Sequence, residues 1–139
     1  MSLSQASLLL PKNALEVIQG ESKTIRLSVT QPDPTGVKKR IPFPLTGGVV
    51  YMTIKKALED REPLIQKVST EPTQAQITND LGGVAEFYLT PADTHTMDLG
   101  DYFFDIWVKF TSGPYNGKRY PVVRPSTFRL VPGVTRLSF

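Results

Sequence analysis

Apolar residues alternate with polar ones in run after run along this chain, the period-2 pattern of strands with one buried face. Ala85, Phe87 and Leu89 alternate with Val84, Glu86 and Tyr88, and Tyr102, Phe104, Ile106, Val108 and Phe110 sustain the pattern longest. Ile25, Leu27 and Val29 share a face opposite Thr24, Arg26 and Ser28; Val50, Met52 and Ile54 share one opposite Val49, Tyr51 and Thr53. Shorter strands are predicted at Leu15–Ile18, Leu64–Val68 and Ala75–Thr78, the last pairing with 84–89 across the glycine-bearing loop 79–83. A return strand runs from Arg119 to about Val123, breaks at Pro125 and resumes at 127–131; its prolines mark an edge or a bulge. About seven or eight strands, spaced roughly a dozen residues apart, predict an all-β antiparallel sandwich.

A helix-start signature lies between the two longest strands. In Thr90-Pro91-Ala92-Asp93, Thr90 suits the cap, Pro91 the first helical position, and Asp93 can accept from the cap amide. Leu99-Gly100 ends that turn early, and Tyr102 then opens the longest strand. A tyrosine just after such a corner is where an immunoglobulin-type sandwich places its tyrosine corner. The predicted fold is therefore an immunoglobulin-like antiparallel β-sandwich with one short helical turn. It occupies residues 15–131, after an extended arm (1–14) that carries Leu8, Leu9 and Leu10 and has no pairing pattern of its own. A tail (132–139) follows, ending Leu137-Ser138-Phe139, and segments 31–44 and 111–118 read as loops.

Composition narrows the function. The 139 residues suffice for one domain with a core, and 12 prolines with 10 glycines favour short strands over long helices. The absence of cysteine excludes disulfides, thiolate metal sites and cysteine nucleophiles. The first residues lack the basic stretch of a signal peptide, and no apolar run approaches the length of a membrane-spanning helix. The expectation is a protein made and used without export through an oxidising compartment. A net charge of +3 does not single out nucleic acid. Lys38-Lys39-Arg40, the only basic triplet, sits on a predicted loop without the aromatic platform of a single-strand binder. It reads as a solvated stretch, with a phosphate contact as the alternative.

Candidate chemistry is sparse. The one histidine, His95, lies between Asp93 and Asp98 with no ligand spacing or nucleophile beside it, and is expected to face solvent. Asp93 is explained as a cap, and Asp98 and Asp101 as turn formers around Gly100. The alternating acids and distal Glu of a calcium loop are absent. Gly47-Gly48 and Gly82-Gly83 are isolated pairs outside any phosphate-binding pattern. No catalytic residue, cofactor or metal is assigned. Asp105 is of more interest, because it shares a strand face with Phe103 and Trp107. That face reads either as partly covered, with Asp105 paired to a cross-strand Lys or Arg such as Arg119 or Arg129, or as a contact surface, where aromatic residues concentrate. Carbohydrate stacking on the same aromatics is a third reading.

Four strings in this order carry a family resemblance: Leu45-Thr46-Gly47-Gly48-Val49-Val50-Tyr51-Met52-Thr53-Ile54-Lys55-Lys56 with Leu64-Ile65-Gln66-Lys67; Gly83-Val84-Ala85-Glu86-Phe87 with Leu89-Thr90-Pro91-Ala92-Asp93-Thr94; Gly100-Asp101-Tyr102-Phe103-Phe104-Asp105-Ile106-Trp107-Val108; and Val134-Thr135-Arg136. Over residues 15–136 the chain resembles the N-terminal, immunoglobulin-like module of upper-baseplate proteins of tailed bacteriophages and related small virion proteins. The resemblance implies no catalytic residues. It implies a small rigid sandwich that docks to other virion subunits through edge strands, loops and extended termini. The expected function is a non-enzymatic structural protein of a tailed-phage virion, an adaptor or decoration subunit of tail, baseplate or neck. A head decoration (cement) protein and a carbohydrate-binding host-attachment module are the alternatives. The expected partners are other virion proteins, in multiple copies of a symmetric assembly formed in the host cytoplasm, with no membrane partner. Contact candidates are Leu8, Leu9 and Leu10 in the arm, Lys38, Lys39 and Arg40 on the loop, Phe103 and Trp107 on the sheet face, and Leu137 and Phe139 in the tail.

Overall fold

A computed structural model describes residues 14–134, together with the backbone of 5–8. In chain order the elements are β1 (Gln5–Leu8), β2 (Ala14–Ile18), β3 (Lys23–Pro32), β4 (Arg40–Pro42), β5 (Gly48–Lys55), β6 (Ile65–Val68), β7 (Ala75–Asn79), β8 (Val84–Leu89), α1 (Pro91–Thr94), β9 (Gly100–Phe110) and β10 (Arg119–Val131). One sheet runs β1-β3-β8-β7, with β4 added to β3; the other runs β2-β10-β9-β5-β6. Every pairing is antiparallel except β2 with β10, which is parallel.

Period-2 alternation becomes burial as expected. Ile25, Leu27 and Val29 of β3 and Ala85, Phe87 and Leu89 of β8 join Val50, Met52 and Ile54 of β5 and the five alternate residues of β9 in one core. Phe43, Phe87, Phe110 and Phe128 are its largest fully buried side chains. Truncating one of them to alanine is expected to cost about 3–5 kcal/mol, combining lost transfer energy with an unfilled cavity.

Three departures from the sequence reading have local causes. Gln5–Leu8, read as part of an unpaired arm, aligns antiparallel with Thr30–Leu27 of β3 and forms the edge of that sheet. The segment 31–44 is not all loop. Its β4 pairs with Thr30–Pro32, beyond the reach of β8, and delivers Phe43 into the core with its amide donating to the Val29 carbonyl at 2.9 Å. There Phe43 meets Tyr115 of the 111–118 loop, with ring centroids 5.3 Å apart, and Phe110 and Tyr120 complete the cluster. β10 does not break at Pro125. It continues as one strand whose pairing with β9 shifts register twice, between Pro121 and Val123 and between Val123 and Ser126, the bulge that its prolines mark. Among the described residues β2 pairs only with Thr127–Val131, which leaves both prolines without a described partner on that side.

The corner before β9 is tied down from several directions. Asp93 accepts from the Thr90 amide at 2.7 Å, the half of the capping box that orients the turn. The Tyr102 hydroxyl donates to the Asp98 carbonyl at 2.6 Å, four residues upstream. Thr94 is fully buried and accepts from the Gly20 amide at 2.9 Å, while the Gln19 side chain donates to the Met97 carbonyl at 2.8 Å. His95, expected to face solvent, is instead half-buried in this corner, and its amide donates to the Pro91 carbonyl.

Candidate functional site

With alternate residues of β9 committed to the core, the intervening ones must face outward. Register then decides what stands beside them. Trp107 lies opposite Tyr51 of β5 and Pro121 of β10; Asp105 lies opposite Thr53, and Phe103 opposite Lys55 and Thr127. Thr53 in turn faces Gln66 of β6, whose amide donates to the Thr53 hydroxyl. The β5–β6 loop raises one wall with Leu58, Arg61 and Pro63, and Pro125 at the β10 irregularity raises another. The result is a groove of about 670 Å³ on the outer face of the second sheet. Phe103 and Trp107 are each 39% exposed, although large aromatic side chains ordinarily seek cover.

Electrostatics inside the groove differ from the expectation. Asp105 does not pair with Arg119 or Arg129; it accepts from the Trp107 indole N–H at 3.1 Å, which fixes the ring against its own strand. Arg129 instead donates to Asp101, directly opposite it on β9, at 2.8 Å. That hydrogen bond holds the Asp101 carboxyl below its ordinary value and raises the guanidinium above its own. Nearby, burial pushes the Tyr102 phenol upward, aided by the charge of Asp98. Lys56 lies 4.5 Å from the centre of the Tyr102 ring.

The other sequence candidates whose side chains are described do not line this groove. Lys38 and Lys39 lie on the exposed loop before β4, which belongs to the first sheet. Arg40 is a strand residue, not a loop residue: its guanidinium donates to the Thr30 hydroxyl at 2.7 Å and carbonyl at 2.9 Å. Leu8 pairs by its backbone with Leu27. Leu9, Leu10, Leu137 and Phe139 lie outside the described residues. Among the candidates whose side chains are described, Phe103 and Trp107 share this groove. The reading missed Tyr51, Lys55, Arg61 and Lys109, and named Arg119 only as a partner for Asp105; all five line the same groove. Alternation placed Tyr51 on an outer face, but only the β5–β9 register puts it beside Trp107.

Lys67 was also missed. It occupies an inward position of β6 and contacts Asp93 at 2.7 Å, with both side chains largely buried. Among the described residues no group of three or more His, Asp or Glu side chains converges as metal ligands would. No protein-family model and no curated protein matches the chain.

Proposed function

We propose that this chain is a structural subunit of a tailed-phage virion, an immunoglobulin-like sandwich that acts as an adaptor or decoration protein through protein–protein contacts. The observation that carries this reading is the half-exposed Phe103–Trp107 pair, presented on a rigid central strand and flanked by Tyr51. Aromatic residues on a preorganised, water-facing surface are what a docking face uses as anchors. The strand order supports the immunoglobulin-like assignment. In this reading β1, β3, β8 and β7 correspond to strands A, B, E and D, and β5, β9 and β10 to C, F and G, with β6 beside C; β2 and β4 are additions to that order. The Tyr102 back-bond to Asp98, at the start of the F-like strand, supports it too. The sequence resemblance over residues 15–136 supplies the virion context.

The test is mass spectrometry on purified particles produced with wild-type protein or with Trp107→Ser. The protein is expected in wild-type particles, and the variant, still folded by circular dichroism, is expected to be lost from them. Wild-type protein absent from particles, or unimpaired incorporation of the variant, overturns the proposal.

A further inference from the structure

The groove has a charge layout that narrows its partner. Lys109 lies directly opposite Arg119 at one end, and Lys55 lies opposite Phe103 at the other, with Arg61 on the adjoining wall. None of these four cations forms an ion pair among the described residues. Glu59, Asp60 and Glu62, on the same loop as Arg61, lie outside the groove lining. From Phe103 to Lys109 the strand spans about 20 Å, at roughly 3.4 Å per residue. Between the two basic poles lie the Trp107 and Tyr51 rings and one carboxylate, Asp105, with the Phe103 ring beside Lys55.

From this layout we infer that the groove binds an extended peptide segment of a neighbouring protein, with acidic residues near both ends and aromatic or aliphatic residues between. The inference rests on the docking reading above and specifies its partner. An extended segment of about six residues matches the span between the poles. Unpaired cations at both ends call for carboxylates, and the rings call for apolar side chains. Asp105 in the middle repels a continuous polyanion, so a nucleic-acid backbone fits poorly. A second copy of this face would set basic poles against basic poles, so self-association through it is disfavoured.

The only tryptophan of the chain is Trp107, so its fluorescence reports occupancy of the groove directly. The probes are synthetic peptides of about ten residues with paired Asp or Glu at both ends and Phe, Leu or Tyr alternating with Ser between. Controls are peptides of the same composition with the acids central, counterparts ending in Lys, and a single-stranded oligonucleotide. The acid-ended peptides are expected to shift the emission saturably, with an affinity that weakens as salt is added. Reversing both poles in Lys55→Glu/Lys109→Glu, at surface positions, is expected to weaken binding about tenfold or more. Equal binding of Lys-ended or acid-central peptides, tighter binding of the oligonucleotide, concentration-dependent dimerisation through this face, or no shift with acid-ended peptides at about millimolar concentration each overturns the inference. If Trp107→Ser is lost from particles while the peptides fail to bind, the docking reading stands and only this partner assignment falls.

Discussion

Lys67→Met and Asp93→Asn together probe how the two sheets are joined at the β9 corner. Lys67 belongs to β6, the edge of the second sheet, and Asp93 to the turn that leaves β8 of the first. Their 2.7 Å contact retains only 9% and 19% side-chain exposure, so each charge depends on the other for compensation. Removing one partner of a fully buried pair costs about 3–5 kcal/mol, and the residual exposure here reduces that range. The two changes should not be equal. Asp93→Asn leaves a cation at an inward strand position and weakens the carboxylate bond to the Thr90 amide, for an expected loss of about 2–4 kcal/mol. Lys67→Met leaves the more exposed partner, still bonded to that amide, and should cost about 1–2 kcal/mol. For a domain of this size, each kcal/mol is worth roughly 4 °C in Tm. The assay is urea denaturation followed by Trp107 fluorescence and circular dichroism, on both single variants and the double. The double variant should lose less than the sum, by about 1–3 kcal/mol. Strict additivity, or a loss below about 0.5 kcal/mol for Asp93→Asn, refutes the argument, since surface-like ion pairs behave that way.

Three further outcomes follow from local geometry. Tyr102→Phe removes the hydrogen bond to Asp98 and should cost about 1 kcal/mol; because burial raises the Tyr102 phenol above its ordinary value, wild-type stability should hold below about pH 10 and fall as pH rises through the folded value, with a shallower fall in the variant. Denaturant titrations across alkaline pH check both. Arg129→Met should let the Asp101 carboxyl rise back toward its ordinary value, measured by carbon NMR. In the wild type this group's contribution is present above the unfolded value and fades as pH falls through the depressed folded one. Gly83 has φ +70°, and a Cβ there would stand 2.6 Å from the carbonyl oxygens of Val29 and Phe43, so Gly83→Ala should cost about 2 kcal/mol or more. Gly36→Ala, at φ +75° in open space, should cost only about 1 kcal/mol; equal Tm losses for the two would contradict the contact argument.

How far the sequence could be read depended on whether a feature is local. Tyr102 through Phe110 and Ala85 through Leu89 were legible because alternation within one strand fixes which side is buried. The β9 corner was legible because capping chemistry spans only Thr90 to Asp93, and the tyrosine bond only Asp98 to Tyr102. β4 was hidden because the three residues Arg40-Ile41-Pro42 are too few to carry a period, although they deliver Phe43 into the core. Lys67 carried a visible signal, a lysine sharing a strand face with Ile65, but its partner Asp93 was already accounted for as a cap. The groove was half legible. Phe103, Asp105 and Trp107 lie on one strand and announce a mixed face, whereas Tyr51, Lys55, Lys109 and Arg119 become neighbours only through cross-strand register. The reading that pairs Asp105 with a cross-strand Lys or Arg failed for the same reason. Register sets Arg129 against Asp101 and leaves Asp105 within reach of the indole two residues along its own strand.

The most direct test of the central claim is a density map of the purified particle, resolved well enough to trace this chain. The account expects several copies in symmetric positions, each with the Phe103–Trp107 face covered by a segment of a neighbouring subunit. A particle that lacks the chain, or copies whose β9 face stands open to solvent while other surfaces make every contact, contradicts it.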